Sequence, residues 1–169
     1  MPNWCDNTLR MTHEDPEMIK RAKFAFNRGE FLNEFLPCPT GEEENWYSWN
    51  CENWGTKWDV GEEGILSKED LAEESDSVFL SFESAWSPPV AAYSKLEELG
   101  FEVEAYYYEP GCCFCGKYVD GEETYIEIVG NSEWARENIP ADIEEVFGIV
   151  DNMAWWEEQS EDEEQEEQD

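Results

Sequence analysis

The apolar area of this chain is concentrated in a few very large side chains, and that limits what it can fold into. Aromatics make up 15% of the residues, nine of them tryptophan, in a sequence with 43 Asp and Glu against 10 Lys and Arg. A compact state has to bury much of that ring area, which dominates burial, and leave the carboxylates in water. The 169 residues suffice for one ordinary domain with a sizeable core. No run approaches the roughly 18 apolar residues of a membrane span. The start Met1-Pro2-Asn3-Trp4-Cys5-Asp6 lacks the basic and apolar parts of a signal peptide. The expectation is a cytoplasmic protein whose six cysteines are free thiols, since cytosolic redox buffers keep most pairs reduced.

The formal charge is −33 and the pI near 4.1. Nine negatives and no positive fall in the last stretch, from Glu157 and Glu158 through Glu161, Asp162, Glu163, Glu164, Glu166 and Glu167 to Asp169. The preceding body still has 34 acids against 10 bases. Such a surface repels phosphate backbones and anionic membranes, and it attracts basic proteins by long-range steering that salt weakens. Direct nucleic-acid and membrane binding are disfavoured.

Alternation predicts a first strand over Asn3–Thr12. Asp15-Pro16 opens an amphipathic helix carrying Met18, Ile19, Ala22, Ala25 and Phe26 until Gly29 ends it. Glu42 to Glu44 lead into a short helix with Trp46, Trp49 and Asn53 on one side, closed by Gly55, and a strand is expected over Thr56–Val60. Gly61–Asp76 reads as a mobile, charged excursion with one helical turn from Ser67. Val78, Leu80 and Phe82 mark a third strand, and Ser87-Pro88 starts a helix through Ala92, Leu96 and Leu99 that Gly100 stops. Phe101, Val103, Ala105 and Tyr107 alternate next, and strands over 114–119 and 124–129 flank Asp120-Gly121, a hairpin signal. Ser132 to Trp156 reads as short helices separated by Pro140 and Gly148. Ser160 to Asp169 has no apolar residue to offset its ordering entropy and is expected to be disordered.

The expected fold class is α+β, a ferredoxin-like sandwich (βαββαβ) with an added β-hairpin and C-terminal helices. Residues 1–130 would form the ferredoxin-like domain with its hairpin, 131–159 a helical extension and 160–169 a disordered acidic tail. Met1-Pro2-Asn3-Trp4-Cys5-Asp6-Asn7, Asn45-Trp46-Tyr47 leading to Asn53-Trp54-Gly55-Thr56-Lys57-Trp58-Asp59, Trp86-Ser87-Pro88-Pro89, and Tyr108-Glu109-Pro110-Gly111 with Phe114 and Gly116 stand in the chain in that order. Over about the first 120 residues, a span that fits one domain, the chain thereby resembles the YubB-like family of ferredoxin-like domain proteins carried on plasmids and phages. The resemblance implies a mobile-element origin and an α+β fold. It brings no catalytic residues, and the fold name implies no iron–sulfur cluster, because function belongs to sites grafted on folds.

Cys112 and Cys115 have the CxxC spacing that can put two thiolates on one metal, but the strong pattern has two matched pairs, and Cys5, Cys38, Cys51 and His13 supply no second one. Small half-buried thiols in a turn are the simpler reading, with a metal-binding protein as the alternative. No carboxylate spacing selects an acid–base pair, and His13, the one histidine, is expected to be an ordinary surface residue. Trp46, Trp49, Trp54, Trp58 and Trp86 are expected to serve core and turn packing, since single-strand binders also need positive grooves. We therefore expect no cofactor and a non-enzymatic phage or plasmid accessory protein that binds a basic host or element-encoded protein. Glu42, Glu43, Glu44, Glu62, Glu63, Glu157 and Glu158 are its candidate partner-binding residues. In the sharper form of this expectation the acidic surface mimics DNA and inhibits a DNA-binding or host-defence enzyme; in the plainer alternative the acidity serves solubility only.

Overall fold

The structure, a computed structural model, describes residues 2–166, with the backbone alone for 161–166. In chain order the elements are β1 (Trp4–Thr12), α1 (Pro16–Phe26), α2 (Phe31–Phe35), α3 (Trp46–Asn53), α4 (Lys68–Ala72), β2 (Ser77–Ala85), α5 (Val90–Glu98), β3 (Glu102–Glu109), β4 (Phe114–Val119), β5 (Glu122–Glu127), α6 (Ser132–Asn138), α7 (Ala141–Phe147) and α8 (Ile149–Glu166). The strands form one five-stranded antiparallel sheet in the order β2-β1-β3-β4-β5. The fold is thus mixed α+β. Among the described residues no helix is long and apolar enough to cross a membrane.

Both faces of the sheet are used. On β1 the period-2 alternation sends Cys5, Asn7, Leu9 and Met11 to the first face, where all four are buried. There Leu9 and Met11 join Leu80, Val103 and Ala105 beneath α1, α2 and α5, in a core completed by Phe26, Phe31, Tyr93 and Leu96. Asp15 caps α1 by accepting the Glu17 amide, and Pro16 takes the position where a missing N–H costs nothing. On the second face Cys115, Tyr106, Tyr108 and Ile126 pack against Ala135, Ile139, Ile143 and Ile149 of the C-terminal helices. In the two-residue turn of the expected hairpin, Asp120 and Gly121 have φ of 53° and 78°, the left-handed pair that suits the strand twist.

The structure differs from the ferredoxin-like order at Thr56–Val60, which is irregular and not a strand. Its polar groups are engaged elsewhere. Asn50 Nδ2 donates to Lys57 O, Thr56 Oγ1 donates to Ala85 O, and the Asp59 carboxylate accepts the Leu32, Asn33 and Val60 amides, capping α2. With no ladder left to form, β2 stays an edge strand, and the sheet grows at its other side through β4 and β5. The 61–76 excursion is tied down: the buried Lys23 ammonium donates to Asp70 O and Glu73 O, and Ser67 and Asp70 form a capping box at α4.

A second correction concerns the tail. Helix α8 continues to Glu166, so the stretch from Ser160 to Glu166 that was expected to be disordered is helical; 167–169 lie outside the described residues. Its first turns are anchored in the second core through Ile149 and Val150. Once a helix is nucleated each further residue adds a hydrogen bond, and Glu and Gln are good helix formers.

Glu157 anchors α8 further along. Its carboxylate accepts the Ser132 amide (2.7 Å) and the Ser132 hydroxyl (2.5 Å) at the start of α6. Those bonds hold its carboxyl below the ordinary value of 4.5. A depressed carboxyl contributes stability that is present above its unfolded value and is lost as pH falls through the folded one. In an acid titration, amide exchange in α6 and Trp155–Trp156 fluorescence should report loosening of α8 below pH 4.5, and Glu157→Gln should flatten that dependence. An unchanged titration in the variant removes Glu157 as the cause.

Candidate functional site

Stretches far apart in the chain meet at one end of the sheet. The Trp86 amide donates to Asn3 O (2.9 Å), Thr56 Oγ1 to Ala85 O (2.9 Å), Ser87 Oγ to Gly55 O, and Asn3 Nδ2 to Cys112 Sγ (3.1 Å). These are the four words on which the family resemblance rests. Buried side chains hold the junction from below: Asn7 Nδ2 donates to Cys5 O and Ser84 Oγ, Ser84 Oγ donates to Ser87 O, and the Glu109 carboxylate accepts the Gly111 and Cys112 amides. Gly55, at φ 84°, has the Ala91 amide nitrogen 3.1 Å from where a Cβ would stand, so the close approach of this loop to α5 needs glycine.

The junction exposes rings instead of burying them, which corrects the expectation for three tryptophans. Trp54 is buried and Trp49 packs against the core, but Trp46, Trp58 and Trp86 are 42%, 39% and 48% exposed. Trp4 is exposed as well and lies 6.0 Å from Trp58, centroid to centroid. Trp86 has φ 73°, a backbone region that a bulky residue occupies only under compulsion.

From Trp4 a groove runs along β1 on the second face. Helices α6–α8 cover β3–β5, and α7 packs on β3 and β4, so the surface of β1 and β2 stays open. The wider part, about 690 Å³, has Asp6, Thr8, Ser81 and Glu83 on its floor, Phe147 on one side and Ile65 on the other. A narrower part, about 250 Å³, shares Thr8 and continues past Arg10 between Phe79 and Val146. Asp6 and Glu83 are direct cross-strand partners. Two like charges in that position repel, and neither has an ion pair among the described residues. The Asp6 carboxyl is raised above its ordinary value, by desolvation first and the Glu109 charge second. Arg10, in the narrower part, pairs with Glu104 and not with Asp6 or Glu83, while Arg21 and Arg28 pair with Glu34 and Lys117 with Asp142.

The seven candidate glutamates are not gathered in one place. Glu42 precedes a short 3₁₀ turn containing Glu43 and Glu44, Glu62 and Glu63 lie in the excursion, and Glu157 and Glu158 lie on α8. Glu62 alone of these lines the groove. Glu43 staples its own loop by accepting the Gly41 amide, and the half-buried Glu157 carboxylate is engaged by the Ser132 amide and hydroxyl at the start of α6. Asp6 and Glu83 escaped sequence reasoning because strand register sets them opposite each other, and register cannot be read from one chain; the only signal was their polar place in alternating strands.

Cys112 and Cys115 have different surroundings. Cys112 is exposed beside Asn3, whereas Cys115 is buried in the second core, where desolvation and then Glu144 push its thiol up to about 11. Among the described residues no group of three or more His, Cys, Asp or Glu is placed to hold a metal ion. His13 links two segments: Nδ1 accepts the Asp15 amide and Nε2 donates to Leu99 O. No protein-family model, curated protein or solved structure matches this chain.

The Trp86 backbone yields a direct test. A left-handed φ costs an alanine about 1 kcal/mol more than a glycine. Trp86→Gly should therefore melt above Trp86→Ala by that margin in chemical denaturation. Equal stabilities mean that position 86 relaxes out of the left-handed region.

Proposed function

We propose that this protein is a non-enzymatic binding module that seats a basic polypeptide segment of a partner in the groove along β1. The single observation that carries this reading is the Asp6–Glu83 pair, two carboxylates set opposite each other on the floor of a groove with apolar walls. A cation placed between them removes their repulsion, so lysine or arginine binds there with more gain than at an isolated surface acid. Phe147, Ile65, Phe79 and Val146 supply contact area for the apolar part of such a segment. The remaining negative surface acts at a distance, speeding encounter with a positive partner.

In the setting that the family resemblance implies, the protein is a phage or plasmid accessory factor acting in the host cytoplasm on a basic, DNA-handling protein. Capture of a basic segment is favoured over imitation of a DNA duplex. The groove sets Asp6 and Glu83 opposite each other with Asp59 and Glu62 also in its lining, and the other candidate carboxylates are scattered over a 3₁₀ turn, the excursion and α8 instead of forming a regular row. A duplex presents one charge about every 1.7 Å of helix axis.

The test is affinity for an arginine- and leucine-containing amphipathic peptide, by calorimetry at low and moderate salt. Asp6→Asn/Glu83→Gln should weaken binding about tenfold, on the order of 1.4 kcal/mol, and should flatten its salt dependence. In stopped-flow mixing with the same peptide, Glu42→Gln/Glu44→Gln/Glu63→Gln should slow association and leave the dissociation rate nearly unchanged. Equal losses in the two variants mean that bulk charge, and not the groove, holds the peptide; salt-independent binding removes the electrostatic mechanism. The groove variant should also be more stable than the wild type by about 0.5 kcal/mol. Because the folded Asp6 carboxyl is raised, the folded state holds its proton more tightly than the unfolded chain. Stability is therefore lost as pH rises from 3.8 through the folded value, and the stability gap between variant and wild type should open over that interval.

A further inference from the structure

Two half-exposed rings, Tyr47 and Trp58, flank one ammonium group, and a further ring meets each of them, Trp46 beside Tyr47 and Trp4, at the head of the groove, beside Trp58. Trp4 and Trp58 have centroids 6.0 Å apart. Lys57 Nζ lies 4.5 Å from the Trp58 centroid and 5.7 Å from that of Tyr47. Tyr47 in turn meets Trp46 edge to face, with centroids 5.9 Å apart. All four rings are between 39% and 51% exposed, so solvent and solutes reach them.

Lys57 makes no ion pair among the described residues, as is also true of Lys20, Lys68, Lys95 and Arg136, and its ammonium lies against two ring faces. Such a contact is electrostatic, the cation meeting the negative face of the π system. The backbone that carries the rings is held independently of the ammonium. Asn50 Nδ2 donates to Lys57 O (2.9 Å), Thr56 Oγ1 ties the loop to Ala85 O, Asp59 anchors it to α2, and Tyr47 stands on α3. A scaffold set before the ligand arrives reduces the entropy lost on binding.

We propose that the Tyr47–Trp58 pair is a binding site for an organic cation, an ammonium or guanidinium group carried by a ligand, and that Lys57 occupies it in the free protein. The ligand's cation displaces the Lys57 side chain, which swings into water and exchanges one hydrated cation for another. Lys57 thus acts as an intramolecular competitor that lowers affinity for weak cations and is overcome by a ligand with further contacts in the neighbouring groove. The site stands on the ring geometry and not on the groove reading.

The experiment uses the full chain as wild type, Lys57→Met and Lys57→Met/Tyr47→Leu. Tetramethylammonium chloride and N-acetylarginine amide are titrated separately against each, with sodium chloride as the ionic-strength control. The readout is the Trp58 indole N–H resonance, assigned with Trp58→Phe, and overall resonance dispersion reports that each variant is folded. Lys57→Met should give a saturable shift at about tenfold lower concentration than the wild type, and the double variant should lose it. A response to the arginine derivative alone identifies an arginine side chain as the source of the cation, and a response to tetramethylammonium alone identifies a methylated amine. No shift in Lys57→Met beyond the salt control overturns the site, and equal affinity in wild type and Lys57→Met overturns the competitor role. Neither result bears on the Asp6–Glu83 groove, which the peptide measurement tests separately.

Discussion

Strand β1 is hydrogen-bonded along both edges, to β2 on one side and β3 on the other, and its two rows of side chains look into two different environments. One row is entirely buried on the first face. The other begins in solvent at Trp4, runs through the groove at Asp6 and Thr8, and reaches Arg10 beside α7. A register slip of one residue would put Asp6 and Arg10 beneath α1 and α5 and turn Leu9 and Met11 outward. The groove is therefore fixed by the same alternation that builds the core.

That arrangement has to coexist with a charge of −33. Self-repulsion of this size works against compactness, and several of the cations are placed where structure is made. Lys23 is buried and ties α4 to α1, Lys117 joins β4 to α7, and Arg21 and Arg28 both pair with Glu34. Tyrosines serve as neutral donors to carboxylates: Tyr107 OH donates to Glu123 and Tyr118 OH to Glu97. What is left over is a negative surface with no cation at Asp6 and Glu83.

Much of this was legible in the chain. Alternation, the Asp15-Pro16 start and the Asp120-Gly121 turn placed β1, α1 and the hairpin, because each depends on neighbours within a few residues. The strand expected at Thr56–Val60 failed because its pattern resembles a strand while its polar groups are taken by Asn50, Ala85 and the amides of α2, partners that are distant in sequence or in another element. The tail failed for the opposite reason: composition described the isolated segment, whereas α8 inherits its nucleus from Ile149 and Val150 in the second core. At the candidate site, large apolar side chains were assigned to packing, and the exposure of Trp46, Trp58 and Trp86 follows from how three loops converge. The Asp6–Glu83 opposition depends on register alone.

Because no strand forms at Thr56–Val60, β2 keeps one side of its backbone unpaired, and Phe79 on that strand is 63% exposed. A bare edge of this kind is a template on which a second copy can zip. Here the approaching copy brings the same net charge, so the acidity that draws in a cationic partner also holds identical molecules apart. Near pH 4.1, or under strong screening, that barrier fades, and edge-to-edge polymerisation becomes the chain's natural failure mode.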